Sequence, residues 1–192
     1  MAYREQEGGL LDEVIGIYFH TKVTKGGRNL TCAALVAVGD GNGKVGLGYG
    51  KASSVPMAIE KATGEGRGAM LEVCRVGDTI AHQELGRHGA ARVLLKPASP
   101  GTGVKAGGTV RSIMRVAGVN NVLSKVFGNS NPLNVAKATM NALRQMRSRE
   151  EVQRLRGVKV ELRHPQAARP KREQPPEAAK GPAEEPAEQA AE

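Results

Sequence analysis

Gly41-Asn42-Gly43-Lys44-Val45-Gly46 satisfies G-x-G-x-x-G, a spacing that can bring backbone amides and a helix N-terminus onto a pyrophosphate. That chemistry needs the glycine turn to open a helix. Here Val45, Leu47 and Tyr49 alternate with Gly46, Gly48 and Gly50 in the manner of a strand, so no dinucleotide site is expected. A phosphate-binding P-loop fails too, because Gly50-Lys51 is followed by Ala52 and Val45 stands at the first glycine. The kinase glycine loop fails because Gly48 replaces its valine and no HRD or DFG occurs. His20, His82, His88 and His164 are scattered, and neither they nor Cys32 and Cys74 have zinc-ligand spacing. His82 and His88 read as solvated residues flanking a loop, and Cys32 as a small hydrophobe in an apolar strand. No enzyme, metal, cofactor or small-molecule substrate is expected.

Lys22, Lys25, Gly26, Gly27 and Arg28 carry a different chemistry: three cations around a Gly-Gly hinge, where backbone amides can join the charged heads on phosphates. Arg111, Arg115, Lys125, Lys137, Arg144, Arg147, Arg149, Arg154 and Arg156 give the second half its own cationic surface, some of them offsetting helix dipoles. The 192 residues carry a formal charge of +9. Residues 165–192 hold four cations, six Glu, six Pro and eight Ala with no Leu, Ile, Val or aromatic, so they cannot bury a core. Residues 1–164 hold 24 cations and 13 carboxylates and stand at +11. A small body this basic has a polyanion as partner, nucleic acid or an anionic membrane surface. The longest apolar run is only Cys32 to Val38, far short of a span, and Met1 to Gly9 show no basic n-region followed by an apolar h-region, so no secretory signal is expected. Two cysteines without a CxxC suit a reducing cytoplasm.

Residues 14–20 and 30–38 read as strands separated by the polar segment 21–29, the second apolar on both faces and hence central. Asp40-Gly41-Asn42-Gly43 is a hairpin turn, and the following strand has one face without side chains that admits another backbone. Ser53 or Ser54 with Pro56 starts a helix carrying Val55, Ile59, Ala62, Met70 and Val73, interrupted by Gly64, Gly66 and Gly68, which allow a kink. The pattern restarts near Gly77, with strands at 79–82 and 91–96, a loop at 97–108, a helix from Val110 to Ala117 and a strand at 121–127. Strand, helix and strand in that order suggest a parallel pair. Asn131-Pro132 caps a helix that buries Val135, Thr139, Leu143 and Met146, and Ser148 with Glu151 caps a short final one ending near Gly157. Few aromatics and many glycines predict marginal stability for the chain alone.

VTKGGRNLTCAALVAVGDGNGKVGLGYGKASSVPMAIEKA, LLKPASPGTGVKAGGTVRSIMRVAGVNNVLSKVFGNSNPLNVAKAT and the H-x-x-x-G-x-x-G-A of 82–90 resemble the family of the fifth protein of the bacterial small ribosomal subunit, in order and spacing, from about Val14 to Gly157. The resemblance implies an α+β protein: an N-terminal double-stranded-RNA-binding-like domain (β-β-β-α, 13–76) and a two-layer α/β domain with a left-handed crossover (77–160). A flexible N-terminus (1–12) and a disordered Pro/Ala/Glu-rich tail (161–192) flank them. It implies no catalysis. It implies instead binding of small-subunit ribosomal RNA on the back of the body, a hold on head relative to body, and neighbours in the fourth and eighth small-subunit proteins. With the fourth and twelfth, members influence decoding accuracy, and they lie where messenger RNA enters the cytoplasmic ribosome.

By position, Lys22, Lys25, Gly26, Gly27 and Arg28 resemble the RNA-contacting hairpin, where changes confer spectinomycin resistance, and Gly41, Asn42, Gly43, Lys44, Gly50 and Lys51 the RNA-facing strand pair. Arg67, with Lys61, is what remains of a helix face that is usually more basic than Thr63-Gly64-Glu65-Gly66. Pro100, Gly101, Thr102, Gly103, Arg111 and Arg115 belong to the segment expected to meet a neighbouring protein, Pro100 to Gly103 and Arg111 resembling the part that meets the fourth. The rival readings are a nucleotide-binding enzyme, which needs a helix after Gly46, and a free-standing chaperone or regulator of double-stranded RNA.

Overall fold

The computed structural model describes residues 4–7 and 9–157. The tail expected from residue 161, and His164, lie outside them. β1 (Arg4–Glu7), β2 (Leu10–Thr24), β3 (Gly27–Gly39), β4 (Lys44–Ala52) and β5 (Leu71–Glu72) form an antiparallel sheet in that spatial order, with α1 (Val55–Gly68) joining the last two in sequence. β2 and β3 run past the expected 14–20 and 30–38. Thr24 pairs with Gly27, so the segment 21–29 is no loop but the far end of a two-stranded ribbon closed by Lys25-Gly26. Water wets both faces there, and the apolar/polar alternation of a half-buried strand is lost.

β3 is central because both its faces are covered, and Cys32 to Gly39 are buried without interruption. Cys32, Ala34, Val36 and Val38 pack with Ala58 and Ala62 of α1. Leu35 and Ala37 point the other way, into a cluster shared with Ile113, Met114, Val116, Leu95 and Leu143 of the second half. All described residues fall within one compact unit, Met1–Leu162.

The bare face of β4 receives a backbone, and that backbone belongs to α1. A Cβ on Gly46, Gly48 or Gly50 would overlap the carbonyl oxygen of Gly66, Ala62 or Ala58 respectively. Gly66 returns the favour on the helix, where a side chain would strike Val38. α1 therefore runs unbroken through glycines that look like breakers. Gly64 is different: a Cβ there meets nothing within 4 Å, and its backbone is helical. Gly64→Ala is expected to stabilise the chain by about 0.5–1 kcal/mol, read as a rise in Tm of roughly 1–4 °C.

The second half begins with a small hairpin, β6 (Arg75–Val76) and β7 (Thr79–Ile80). β8 (Glu84–His88), β9 (Ala91–Pro97), β10 (Val104–Lys105) and β11 (Val122–Gly128) then form a sheet in the order β10-β11-β9-β8. Two expectations are corrected. The stretch from His82 to His88 is not a loop, since Glu84 to His88 pair with β9 and only Gly89-Ala90 turn. The strands at 91–97 and 122–128 are antiparallel to each other. The parallel pair is β10–β11, and α2 (Gly108–Val116) lies between those two in sequence. β10 has two residues inside a glycine-rich loop, too few to show a period. α3 (Pro132–Gln145) begins as expected, Asn131 accepting a hydrogen bond from the Leu133 amide at 3.1 Å, and buries Val135, Thr139 and Leu143. α4 (Arg149–Arg156) starts at Ser148, whose hydroxyl accepts from the Glu151 amide, and ends at Gly157 in the left-handed conformation.

Candidate nucleic-acid interface

The β2–β3 ribbon leaves the body as an arm on which every residue from Phe19 to Leu30 is exposed. Strand alternation and register distribute its side chains. His20, Lys22, Thr24, Asn29 and Thr31 share one face; Phe19, Thr21, Val23, Arg28 and Leu30 share the other. Lys25 and Gly26 form the tip, and Gly27 takes φ +136° to close it. Lys22, Lys25 and Arg28 thus present charge on both faces and at the end, and no Asp or Glu occurs from Val14 to Gly39. A ribbon of this kind can neutralise phosphates from two sides with no internal carboxylate competing. Sequence reasoning missed that Phe19 (63% exposed), Val23 (74%) and Leu30 (56%) lie bare on the Arg28 face. Their types mark a strand, and only the length of the arm beyond the body shows that nothing covers them.

The turn after β3 has another use. Asp40 Oδ1 accepts from the amides of Asn42 (2.7 Å) and Lys44 (2.9 Å). Burial pushes the Asp40 carboxyl up, but the amides of Lys44, Asn42 and its own residue outweigh that and leave it below its usual value. The Gly41 amide donates to Val116 O at 3.0 Å, and Gly43 O accepts from the Val73 amide at 2.7 Å. The Arg75 guanidinium donates to Asn42 O (2.9 Å) and to Gly118 O (3.0 Å) at the end of α2. Much of this turn's backbone is therefore engaged inside the chain, holding the first sheet to the second half. Of the residues placed on an RNA-facing strand pair, Gly43 and Gly50 are buried and Gly41 is half-buried, whereas Asn42, Lys44 and Lys51 are exposed. Gly46 is followed by β4 and not by a helix, so the nucleotide-enzyme reading loses its site.

A depressed carboxyl gives stability that is full above its ordinary range and disappears as pH falls through the folded value. Asp40→Asn is expected to lower Tm at neutral pH by about 2 °C or less, with the gap closing below about pH 4, in thermal melts across pH.

Arg67 is exposed but forms an ion pair with Asp12 of β2 at 3.7 Å. Beside it, Glu65 has an internal use, accepting from the Tyr49 amide at 2.9 Å on the part of β4 that β5 leaves uncovered. In the segment expected to face a protein neighbour, Ser99 to Thr102 close a tight turn, with Pro100 and Gly101 exposed. Gly103 is held by Asn121 Oδ1 at 3.0 Å. Arg111 is exposed and donates to Ala106 O. Arg115 points elsewhere: its guanidinium lies 3.3 Å from Glu13 Oε1, which also accepts from the Ser112 hydroxyl at 2.9 Å. Glu13 is buried, so this trio ties β2 to α2 inside the chain. Arg144, Arg147, Arg149 and Arg156 border an open cleft beside α4 together with His82 and Leu155.

Among the described residues no three His, Cys, Asp or Glu side chains gather as a metal site, and no helix is long and apolar enough to cross a membrane. A cationic arm on an α+β body whose polar groups serve structure describes a structural RNA-binding protein. Models of "Ribosomal protein S5, N-terminal domain" and "Ribosomal protein S5, C-terminal domain" match residues 10–74 and 86–156. The chain belongs to the ribosomal protein S5 family. It is 49% identical over 156 residues to the small ribosomal subunit protein uS5 of Alteromonas mediterranea, covering 81% of this chain and 94% of the relative. It is 53% identical over 151 residues to that of Syntrophobacter fumaroxidans, covering 79% and 91%. With the Rubrobacter xylanophilus protein it shares 48% over 160 residues, covering 82% and 80%.

Proposed function

We propose that this chain is a structural constituent of the small subunit of the cytoplasmic ribosome and binds its ribosomal RNA through the β2–β3 arm. The observation that carries the reading is the arm itself: Lys22, Lys25 and Arg28 on a ribbon exposed over its whole distal length, without a carboxylate from Val14 to Gly39. Lys51, opposite Ala33 at the root of the arm, and Asn42 and Lys44, at the far end of the β3–β4 pair, add exposed polar groups on the same sheet. Between this arm and the second half, the engaged turn at 40–43 and the Glu13–Arg115 pair make a stiff link. A stiff link between two contact regions suits a protein that fixes head relative to body beside the fourth and eighth proteins, near incoming messenger RNA. A change in that link would then reach decoding accuracy. The two family domains, divided near Gly77, are part of the same reading.

The triple variant Lys22→Gln, Lys25→Gln, Arg28→Gln tests it. The wild-type chain should co-sediment with small subunits in sucrose gradients and bind deproteinised small-subunit ribosomal RNA with log affinity falling linearly in log salt. Losing three phosphate contacts should flatten that slope by about 2 to 3. Unchanged slope and sedimentation in the variant would reject the arm's role. Wild-type protein found off the subunits and binding generic duplexes equally well would favour a free-standing RNA chaperone.

A further inference from the structure

We infer that the outer face of the β10-β11-β9-β8 sheet is a second RNA-binding surface, one that takes single-stranded or unstacked RNA on a platform of alternating cations and apolar side chains. This rests on the ribosomal-RNA reading above and adds a site on the opposite half of the chain.

Alternation sorts the sheet. Gly86, Ala91, Val93, Leu95 and Val122 are buried on the side where α3 packs. The remaining face carries Arg87, Arg92, Lys96, Lys105 and Lys125, all exposed. Between them stand Phe127 (43% exposed), Leu123 (36%) and the half-buried Leu85 and Leu94. Register sets them in three rows: Arg87 beside Arg92 beside Phe127; Leu85 beside Leu94 beside Lys125; Lys96 beside Leu123 beside Lys105. Each cation therefore has an apolar neighbour in its row or the next.

Charge identifies the occupant. No Asp or Glu occurs in β9, β10 or β11. Glu84, the one carboxylate in β8, pairs opposite buried Leu95 and reaches His82 at 3.4 Å. From Leu85 to Arg149 the chain has eleven Lys and Arg and no carboxylate at all. Arg87 stands directly across from Arg92, an arrangement of like charges that destabilises a strand pair and that a bound polyanion would relieve. A protein neighbour of ordinary composition would bury these five cations against few counter-charges, whereas RNA supplies phosphates for the cations and base faces for Phe127 and the leucines. A four-stranded sheet that stacks bases on exposed aromatics while cations hold the backbone is an established physical solution to that task.

The test uses the full chain and deproteinised small-subunit ribosomal RNA. Arg92→Gln, Lys96→Gln, Lys125→Gln should melt no lower than wild type, since it relieves the Arg87–Arg92 repulsion, and lower the salt slope of binding by about 2, independently of the arm variant, so that the combined variant loses both amounts. The chain has no Trp, so Phe127→Trp places a single indole on the platform. Its emission should be quenched when RNA binds, as a stacked base requires. A full salt slope in the sheet variant, an indole unmoved by bound RNA, or an indole that shifts blue only when other small-subunit proteins are added would each overturn the proposal while leaving the arm intact. Wild-type binding insensitive to salt would instead remove the ribosomal-RNA reading beneath it.

Discussion

Gly48→Ala is expected to unfold the first half of the chain or to leave it without a cooperative melt. The added methyl would occupy the position of the Ala62 carbonyl oxygen, and the overlap is with backbone on both sides, so no rotamer change relieves it. Ordinary overpacking costs 1–3 kcal/mol; here α1 must lift off β4, uncovering the Ala58, Ala62 and Val36 contact as well, and a loss on the order of 4 kcal/mol or more follows. A domain of ordinary stability does not survive that comfortably. Differential scanning calorimetry or near-ultraviolet circular dichroism of purified Gly48→Ala reads the result directly. Gly64→Ala, on the exposed side of α1 where a Cβ meets nothing within 4 Å, is the control with the opposite sign. A Gly48→Ala protein with a wild-type Tm would mean that helix and strand are not packed backbone to backbone.

Glu13→Ala should be the next most damaging change. The carboxylate is nine-tenths buried and holds both the Ser112 hydroxyl and the Arg115 guanidinium. Removing it strands the hydroxyl, opens a small cavity and frees α2 from β2, at a cost of about 2–3 kcal/mol, or roughly 4–12 °C in Tm for a chain this size. Arg115→Ala should cost less, about 1 kcal/mol, because the guanidinium is 53% exposed and well solvated. Glu13→Gln keeps an acceptor for Ser112 and should fall between. A double-mutant cycle over Glu13 and Arg115 that returns no coupling would show that the pair contributes nothing to holding the two halves.

The outcome at Arg115 illustrates where reading residues in order stops. Its helical position was visible four residues after Arg111, but the partner lies about a hundred residues earlier in a segment with no expected element, and no local spacing announces a contact of that range. The centrality of β3 was legible, because an apolar run on both faces admits only one place in a sheet. The bare face of β4 was legible too, as a place where another backbone approaches. That its occupant is α1 became visible only when Gly66 was found opposite Gly48. The arm's cations stood out from type and spacing. Its length did not, since strands wetted on both faces lose the signature by which strands are found. The platform of β8, β9 and β11 was hidden for a related reason: its cations sit up to 38 residues apart in sequence and meet only through register.

The face of β3 that carries Leu35 and Ala37 has a consequence for synthesis. Translation runs from the N-terminus, and Ile113, Met114 and Val116, which cover that face, emerge more than seventy residues after it. At about 5–20 residues per second the nascent sheet spends roughly 4–15 s with one side bare. During that interval the half-made chain is an open sandwich, and its first sheet is a candidate for chaperone capture or for pairing with another nascent chain, until α2 arrives and the turn at Gly41 locks onto Val116.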